Sequence, residues 1–269
     1  MMPYRLLACL LAVLLAVHAV RAEDHIATAN AAYRTIQQAK RSDLILLPLV
    51  AKMDATPAPI STPERAMLIP AGSSAWSAAE AWAMAAPQRA VLQALDRITQ
   101  EDTSPQAFAF GLPYGSDALG SGPDGIALIR ANLYVELGSP PLLAAAKFLY
   151  LPSLDHVACL VHVEATRLAA EGKVAEAIEV LTDLVFFGRQ MADRQMFEEC
   201  RWGIRTMAVT LDRVRDIAYV DFRFGSRTLS TEQITSILER LRPEGMINIE
   251  RIQFPRGEQI GRASCRGRV

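Results

Sequence analysis

Lysine is nearly absent from this chain. Lys40, Lys52, Lys147 and Lys173 are its only four, and arginine supplies the rest of the basic charge. Charged residues of all kinds make up 21%, against 51% hydrophobic, and the net charge is -1. That balance excludes a disordered chain, which needs low hydrophobicity and high net charge. Cysteine is scarce as well, four in 269 residues, too few for a small disulfide-built scaffold. Glycine and proline, at 15 each, exclude collagen-like and low-complexity sequence. No apolar run reaches the roughly 20 residues that a membrane-spanning helix needs. Catalytic signatures are missing too. There is no Gly-x-Ser-x-Gly. Gly120-Ser121-Gly122 lacks the Gly-Lys-Ser/Thr end of a phosphate loop, and Asp117 and Asp124 do not have calcium-loop spacing. The sequence nominates no catalytic residue, no cofactor-binding residue and no cofactor.

The two ends read as separate from the body. Met1 to Arg5 is a short basic start, Leu6 to Val17 an apolar stretch, and His18 to Ala22 a small-residue exit. This is the pattern of a secretory signal peptide over 1–22, with cleavage expected after Ala22 and Ala19 as the alternative point, so the protein is expected to be exported, to a periplasm or beyond. Residues 260–269, Ile-Gly-Arg-Ala-Ser-Cys-Arg-Gly-Arg-Val, resemble the translation of a common sequencing adaptor, with Gly267 where glutamate would stand. The natural frame is then expected to continue past about Gln259. Setting both ends aside removes five arginines and leaves 23 basic residues against 29 acidic, a net of -6. An acidic body has no electrostatic footprint for nucleic acid. Abundant alanine with arginine in place of lysine points to a GC-rich bacterial genome.

Between the ends the apolar spacing is helical. A first helix is expected over 24–40 and a second over 43–53, interrupted at Pro48. Residues 54–73, with Pro57, Pro59 and Pro63, read as an extended linker. Ser73 or Ser74 is placed to cap a helix running to about Ile98, which Pro87 should kink or divide. The whole of 23–102 is thus an N-terminal helical segment. The Gly/Pro-rich stretch 103–125 reads as a long loop, functional or mobile. Residues 126–259 form the helical core. Helix is expected over 124–137, again after Pro140-Pro141 as far as Pro152, and from a Ser153 cap to Glu171. Further helices follow from Val174 to about Gly188, from about Arg194 to Tyr219, and over 228–241. The last is marked by the capping box Ser230-Thr231-Glu232-Gln233. Residues 246–254 fit neither period. No strand pairing stands out, so the fold is expected to be mainly α, an irregular array of antiparallel helical hairpins without substantial sheet.

One hairpin has a family likeness. Leu168-Ala169-Ala170-Glu171-Gly172-Lys173-Val174-Ala175-Glu176-Ala177-Ile178 resembles the turn of a tetratricopeptide repeat. Gly172 stands where the family's turn glycine stands, and Ala177 and Ala165 stand at its small-residue positions. The resemblance spans about one repeat, around 153–190, with aliphatics in place of the family's aromatics and no second copy at a 34-residue period. It implies a helical hairpin and, by analogy with such arrays, a protein or peptide partner.

Side chains able to do chemistry cluster on the helix after Ser153. Asp155, Cys159, His162 and Thr166 share one stripe, with His156 a step aside. Cys200 on a later helix is expected at a similar height. Cys159 and Cys200 are open to three readings: ordinary buried thiols, a disulfide, or metal ligands together with His156 or His162. Glu198 and Glu199 diverge by about 100° on a helix, so they cannot converge on one atom, and pairing with Arg201 and Arg205 is expected. Trp76, Trp82 and Trp202 read as core or groove anchors. The combined expectation is an exported helical scaffold that holds a protein or peptide. Two alternatives stand beside it: an exported hydrolase of envelope polymers with its site in 103–125 or beyond Gln259, and a carrier of a small apolar ligand.

Overall fold

A computed structural model describes residues 25–99, 108–224, 227–242 and 252. The expected leader, the basic tail and, apart from Ile252, the segment 246–254 lie outside the described residues. The fold is mainly α. Among the described residues, α1 covers 25–34 and is followed by α2 (Ser42–Val50), α3 (Pro63–Leu68), α4 (Trp76–Met84) and α5 (Ala86–Thr99). Then come α6 (Pro123–Arg130), α7 (Leu151–Ala170), α8 (Val174–Ala192), α9 (Phe197–Arg223) and α10 (Thr231–Arg240). A two-stranded antiparallel sheet, β1 (Val135–Glu136) with β2 (Lys147–Phe148), is paired Val135 to Phe148 and Glu136 to Lys147.

The centre is α7–α8–α9. Helix α8 is buried on nearly every face from Leu181 to Ala192 and packs on both neighbours. Two hydrogen bonds fix how α7 and α9 run. The indole Nε1 of Trp202 donates to Asp155 at 2.9 Å, and Arg213 Nη2 donates to Thr166 Oγ1 at 2.9 Å. Each bond joins residues 47 apart in sequence, so α7 and α9 are parallel and in constant register. The crossing of α8 and α9 is closest at Gly188 and Gly203. A Cβ on Gly203 would lie 2.4 Å from the Gly188 carbonyl oxygen and 2.5 Å from the Ala192 nitrogen. The α7–α8 turn contains Gly172 at φ +76°, with Ala165 and Ala177 fully buried on either side of it.

Several boundaries differ from the sequence expectation, each for an identifiable reason. The 54–73 stretch is not wholly extended, because it contains α3. Thr62 caps it, accepting from the Arg65 nitrogen at 3.4 Å, and Pro63 occupies the first helical position, where its missing N–H costs nothing. Pro48 sits inside α2 without breaking it; the carbonyl it orphans belongs to Leu44, on the solvent side. Pro87 divides the next helix, as expected, at Ala85. Residues 133–148 form β1, β2 and a short 3-10 turn instead of helix, because Asn132 at φ +55° turns the chain out of α6. Pro152 opens α7 rather than ending a helix before it, so α7 starts two residues ahead of Ser153. The Ser230–Gln233 capping box forms in full.

The Gly/Pro-rich stretch enters the core. From residue 108 to 115 it is extended, and Phe108, Phe110, Leu112 and Tyr114 are all buried. Single parallel bridges join it to Arg41 at Ala109 and to Val135 of β1 at Tyr114, and further main-chain and side-chain bonds hold its backbone. Ser42 and Lys40 bond Ala109 through the main chain at 3.0 Å each. Asp43 accepts from the Gly111 nitrogen at 2.8 Å, and Arg41 donates to the Gly111 oxygen at 2.8 Å. Asn30 bonds both the nitrogen and the oxygen of Tyr114, at 2.8 and 2.9 Å.

Candidate functional site

Three features outside ordinary packing have chemistry to offer. The first is a buried ionic cluster where the turn between α8 and α9 meets the 108–115 strap. Arg194 and Glu199 are 1% and 0% exposed and paired at 2.8 Å. Both oxygens of the carboxylate are engaged. Oε1 accepts from Arg194 Nε and from the Tyr150 hydroxyl, and Oε2 accepts from the Tyr114 hydroxyl at 2.7 Å. Arg194 also donates to the Phe110 and Leu112 oxygens, at 3.2 and 2.7 Å, and its guanidinium lies 4.1 Å from the Tyr33 ring centre. Burial works against the charge on Arg194, but Glu199 and the surrounding tyrosines outweigh it and hold the guanidinium protonated. Burial pushes the Tyr114 and Tyr150 hydroxyls well above their usual range, so both stay protonated donors. Three of the carboxylate's roughly four lone-pair sites are thus filled by groups of the chain itself. The cluster therefore pins the strap to the helix turn.

Only half of the pairing expected for the adjacent glutamates is observed. Glu198 pairs with Arg201 on the surface. Glu199 turns inward to Arg194, and Arg205 pairs with Glu64 of α3 instead. The Arg194–Glu199 separation of five residues crosses a helix start, so helical spacing rules do not flag it. Arg205 and Glu64 are 141 residues apart, which no local pattern reveals.

The second feature is a cleft where α3 lies over the seam between α7 and α9. Glu64, Asp155, His162, Arg205 and Thr206 line it, with Pro63, Ala158 and Val209 as apolar wall. It encloses room for about one water molecule, far below the range of pockets that enclose a drug-sized ligand. His162 is 1% exposed, and its buried Nδ1 has no hydrogen-bond partner among the described residues. Burial, aided by Arg213, lowers its pKa to about 4, so the ring is neutral at pH 7. Burial also raises Asp155, against the opposing hydrogen bond from Trp202.

The stripe seen in the sequence is thus real in part. Asp155 and His162 both face the cleft, and Thr166 bonds α9. Cys159 and Cys200 are buried free thiols. Their expected equal height is not found. The constant offset of 47 sets Cys200 level with Ser153, six residues or about 9 Å along the helix from Cys159. A disulfide needs its Cα atoms within about 7 Å. Burial pushes the Cys159 thiol up to about 12. His156 is half-buried beside the stripe. Among the described residues no group of three or more His, Cys, Asp or Glu is placed to hold a metal ion. Trp76, Trp82 and Trp202 are buried in the core.

The third feature is the end of α9. Tyr219, Val220, Phe222 and Phe224 are 54–77% exposed, and Arg223 and Arg227 lie among them in the open. The Tyr219 and Phe224 rings meet edge to face at 6.3 Å, and Arg227 lies over Phe222 at 5.0 Å. The buried Asp221 holds the following turn by accepting from Thr228 and Leu229. The aromatic side chains are therefore displayed by an anchored element.

A buried acid away from all three makes stability depend on pH. Asp183 of α8 is 7% exposed and accepts from the Thr99 hydroxyl at 2.6 Å. Burial raises its pKa to about 7; the Thr99 bond and Arg240 oppose this, and Asp96 and Glu179 add to it. The unfolded carboxyl titrates near 4, so between about pH 4 and 7 the folded chain binds more protons than the unfolded one. Stability from this group therefore falls as pH rises through that window. Asp183→Asn should match the parent near pH 4 and exceed it at pH 8, by up to about 4 kcal/mol. Urea unfolding of both proteins at the two pH values tests this. A difference independent of pH would mean that Asp183 does not titrate there.

Comparison with family models, curated proteins and solved structures finds no match to this chain.

Proposed function

We propose that the chain is an exported helical scaffold that holds a protein or peptide partner on the aromatic end of α9. The export rests on the leader pattern of residues 1–22. The observation that carries the partner is the exposed group Tyr219, Phe222 and Phe224 with Arg223 and Arg227. Phenylalanine and tyrosine cost free energy in water, and together with arginine they are enriched at protein interfaces, where lysine is depleted. Scattered exposed apolar residues are ordinary, but four on one helix end form a patch. The alternatives have less support. Residues 108–115 of the 103–125 stretch are committed to the core, and the α3–α7–α9 cleft is small.

A photo-crosslinking residue placed at 222 in the cells that express this gene should give a discrete adduct. The same residue at exposed position 93 on α5 should not. Phe222→Ala should weaken the captured complex at least tenfold while leaving thermal stability within about 0.5 kcal/mol of the parent. Adducts of equal pattern at 93 and 222, or none at 222, would remove this reading.

A further inference from the structure

We propose that the outer face of α9 pairs two copies of this chain, antiparallel about a two-fold axis that passes between residues 209 and 210. This rests on the reading that the aromatic end of α9 holds a protein, and it names that protein as a second copy of the chain. The exposed side chains of α9 do not stop at its aromatic end. Phe197, Ile204, Tyr219 and Phe222 are 44–61% exposed, and Arg201, Ala208 and Arg215 between them are exposed as well. At about 100° per helical residue, all seven point within about 40° of the Phe197 direction. They form one line along the helix, about 37 Å from Phe197 to Phe222 at 1.5 Å per residue. Helices α7 and α8 pack on the other side of α9, which leaves this line without a partner.

The order of residues along the line favours a second copy, because the line matches its own reversal. Laid against itself antiparallel, it brings together residues whose numbers total 419 or 420. Phe197 meets Phe222, ring against ring. Arg201 meets Tyr219, a guanidinium over an aromatic face. Ile204 meets the methylene stem of Arg215. Ala208 meets the half-buried Leu211, and the small alanine lets the two helices approach at the axis. A two-fold interface requires this reciprocity, residue i on j and j on i. Parallel pairing would instead set Arg201 on Arg201 and Arg215 on Arg215, like charge on like. Charge agrees at the flank. Glu198 of one copy comes level with Arg223 of the other, and Arg223 pairs with no carboxylate among the described residues. The remaining charges of the face are neutralised within each copy, Arg205 by Glu64 and Arg215 by Asp212 and Asp216. A line shaped for an unrelated protein has no reason to match its own reversal. In projection it covers roughly 400 Å² per copy, the small end of specific interfaces, so a micromolar dimer is expected.

Sedimentation equilibrium of the purified chain, from micromolar to sub-millimolar concentration, should show a monomer passing into a dimer. Ala208→Glu sets two carboxylates close to the axis and should weaken the dimer at least tenfold. Its circular dichroism and unfolding midpoint should stay those of the parent, because position 208 is exposed in the single chain. Glu198→Arg and Arg223→Glu should each weaken the dimer, and the two together should restore it. A photo-crosslinking residue at 197 in the purified chain should attach to 219–223, and one at 222 to 197–201. Within one chain these ends of α9 are about 37 Å apart, so such links join two copies. A chain that stays monomeric at sub-millimolar concentration, a dimer indifferent to Ala208→Glu, or links from 222 only to 222 would overturn the proposal. Should Ala208→Glu fold poorly, the crosslinks at 197 and 222 decide alone. In cells the adduct at 222 separates the two readings. Twice the mass of the chain supports both. An adduct with a different protein leaves the partner reading standing and overturns the second copy, and no adduct removes both.

Discussion

Glu199→Ala should lower the stability of this protein by about 3–5 kcal/mol, among the largest effects of any single substitution in the chain. The carboxylate it removes is, among the described residues, the sole counter-charge within hydrogen-bonding reach of Arg194, which is 1% exposed. The hydroxyls of Tyr114 and Tyr150 also lose their acceptor. Burying an unpaired guanidinium costs far more than the net gain from forming the pair, so the loss of one partner is worse than the loss of both. The double variant Glu199→Leu with Arg194→Met should therefore be less destabilised than Glu199→Ala alone. For a chain of this size a few kcal/mol lowers the midpoint of thermal unfolding by roughly 10 °C. Urea unfolding of the three variants measures the cycle. A loss under about 1 kcal/mol for Glu199→Ala would show that water reaches Arg194, and the pin between strap and turn would have to be abandoned.

Gly203→Ala should be comparably severe for a purely steric reason. The added carbon would lie 2.4 Å from the Gly188 oxygen and 2.5 Å from the Ala192 nitrogen. Both are backbone atoms of a helix buried on nearly every face, so neither can swing aside. Helices α8 and α9 would have to separate along their crossing, opening the core around Phe186 and Met207. Overpacking of this kind costs about 1–3 kcal/mol, and more where backbone must move; about 3 kcal/mol or more is expected here. Gly172→Ala is the control. Gly172 sits at φ +76°, and a Cβ added there would meet nothing within 4 Å, so only the strain of a left-handed residue, about 1 kcal/mol, applies. If the two substitutions cost the same, the close approach of α8 and α9 is not what holds them.

Helices with an unbroken apolar period were legible from residues alone. The spacing from Val174 to Gly188 and the Ser230 capping box each mark their element because the information lies within one or two turns. Proline was misleading in both directions. Pro63 and Pro152 read as breaks and prove to be helix starts, since at the first positions the missing N–H is harmless. Pro48 read as an interruption and is tolerated inside α2. The strap 108–115 was the least legible element. Its alternating Phe108, Phe110, Leu112 and Tyr114 resemble a strand, but what holds it is a set of side chains from Asn30, Asp43 and Arg194, each more than 60 residues away.

The candidate site follows the same division. Asp155, His162 and Thr166 on one stripe of α7 were visible because a helix repeats every 3.6 residues. That the stripe faces α9, that α3 covers it, and that Glu64 takes Arg205 out of use are facts of tertiary packing. The two cysteines make the point most simply. Counting from expected helix starts sets them level, but α7 begins earlier than Ser153 and α9 later than Arg194, so their heights differ and the thiols stay free. Composition and local periodicity determined that this chain would be helical, with a well-filled core and an acidic body. Which helix faces which, and therefore which polar groups lose their water and must find one another, depends on contacts between residues far apart in sequence. Their energies arise only once the chain has closed around them.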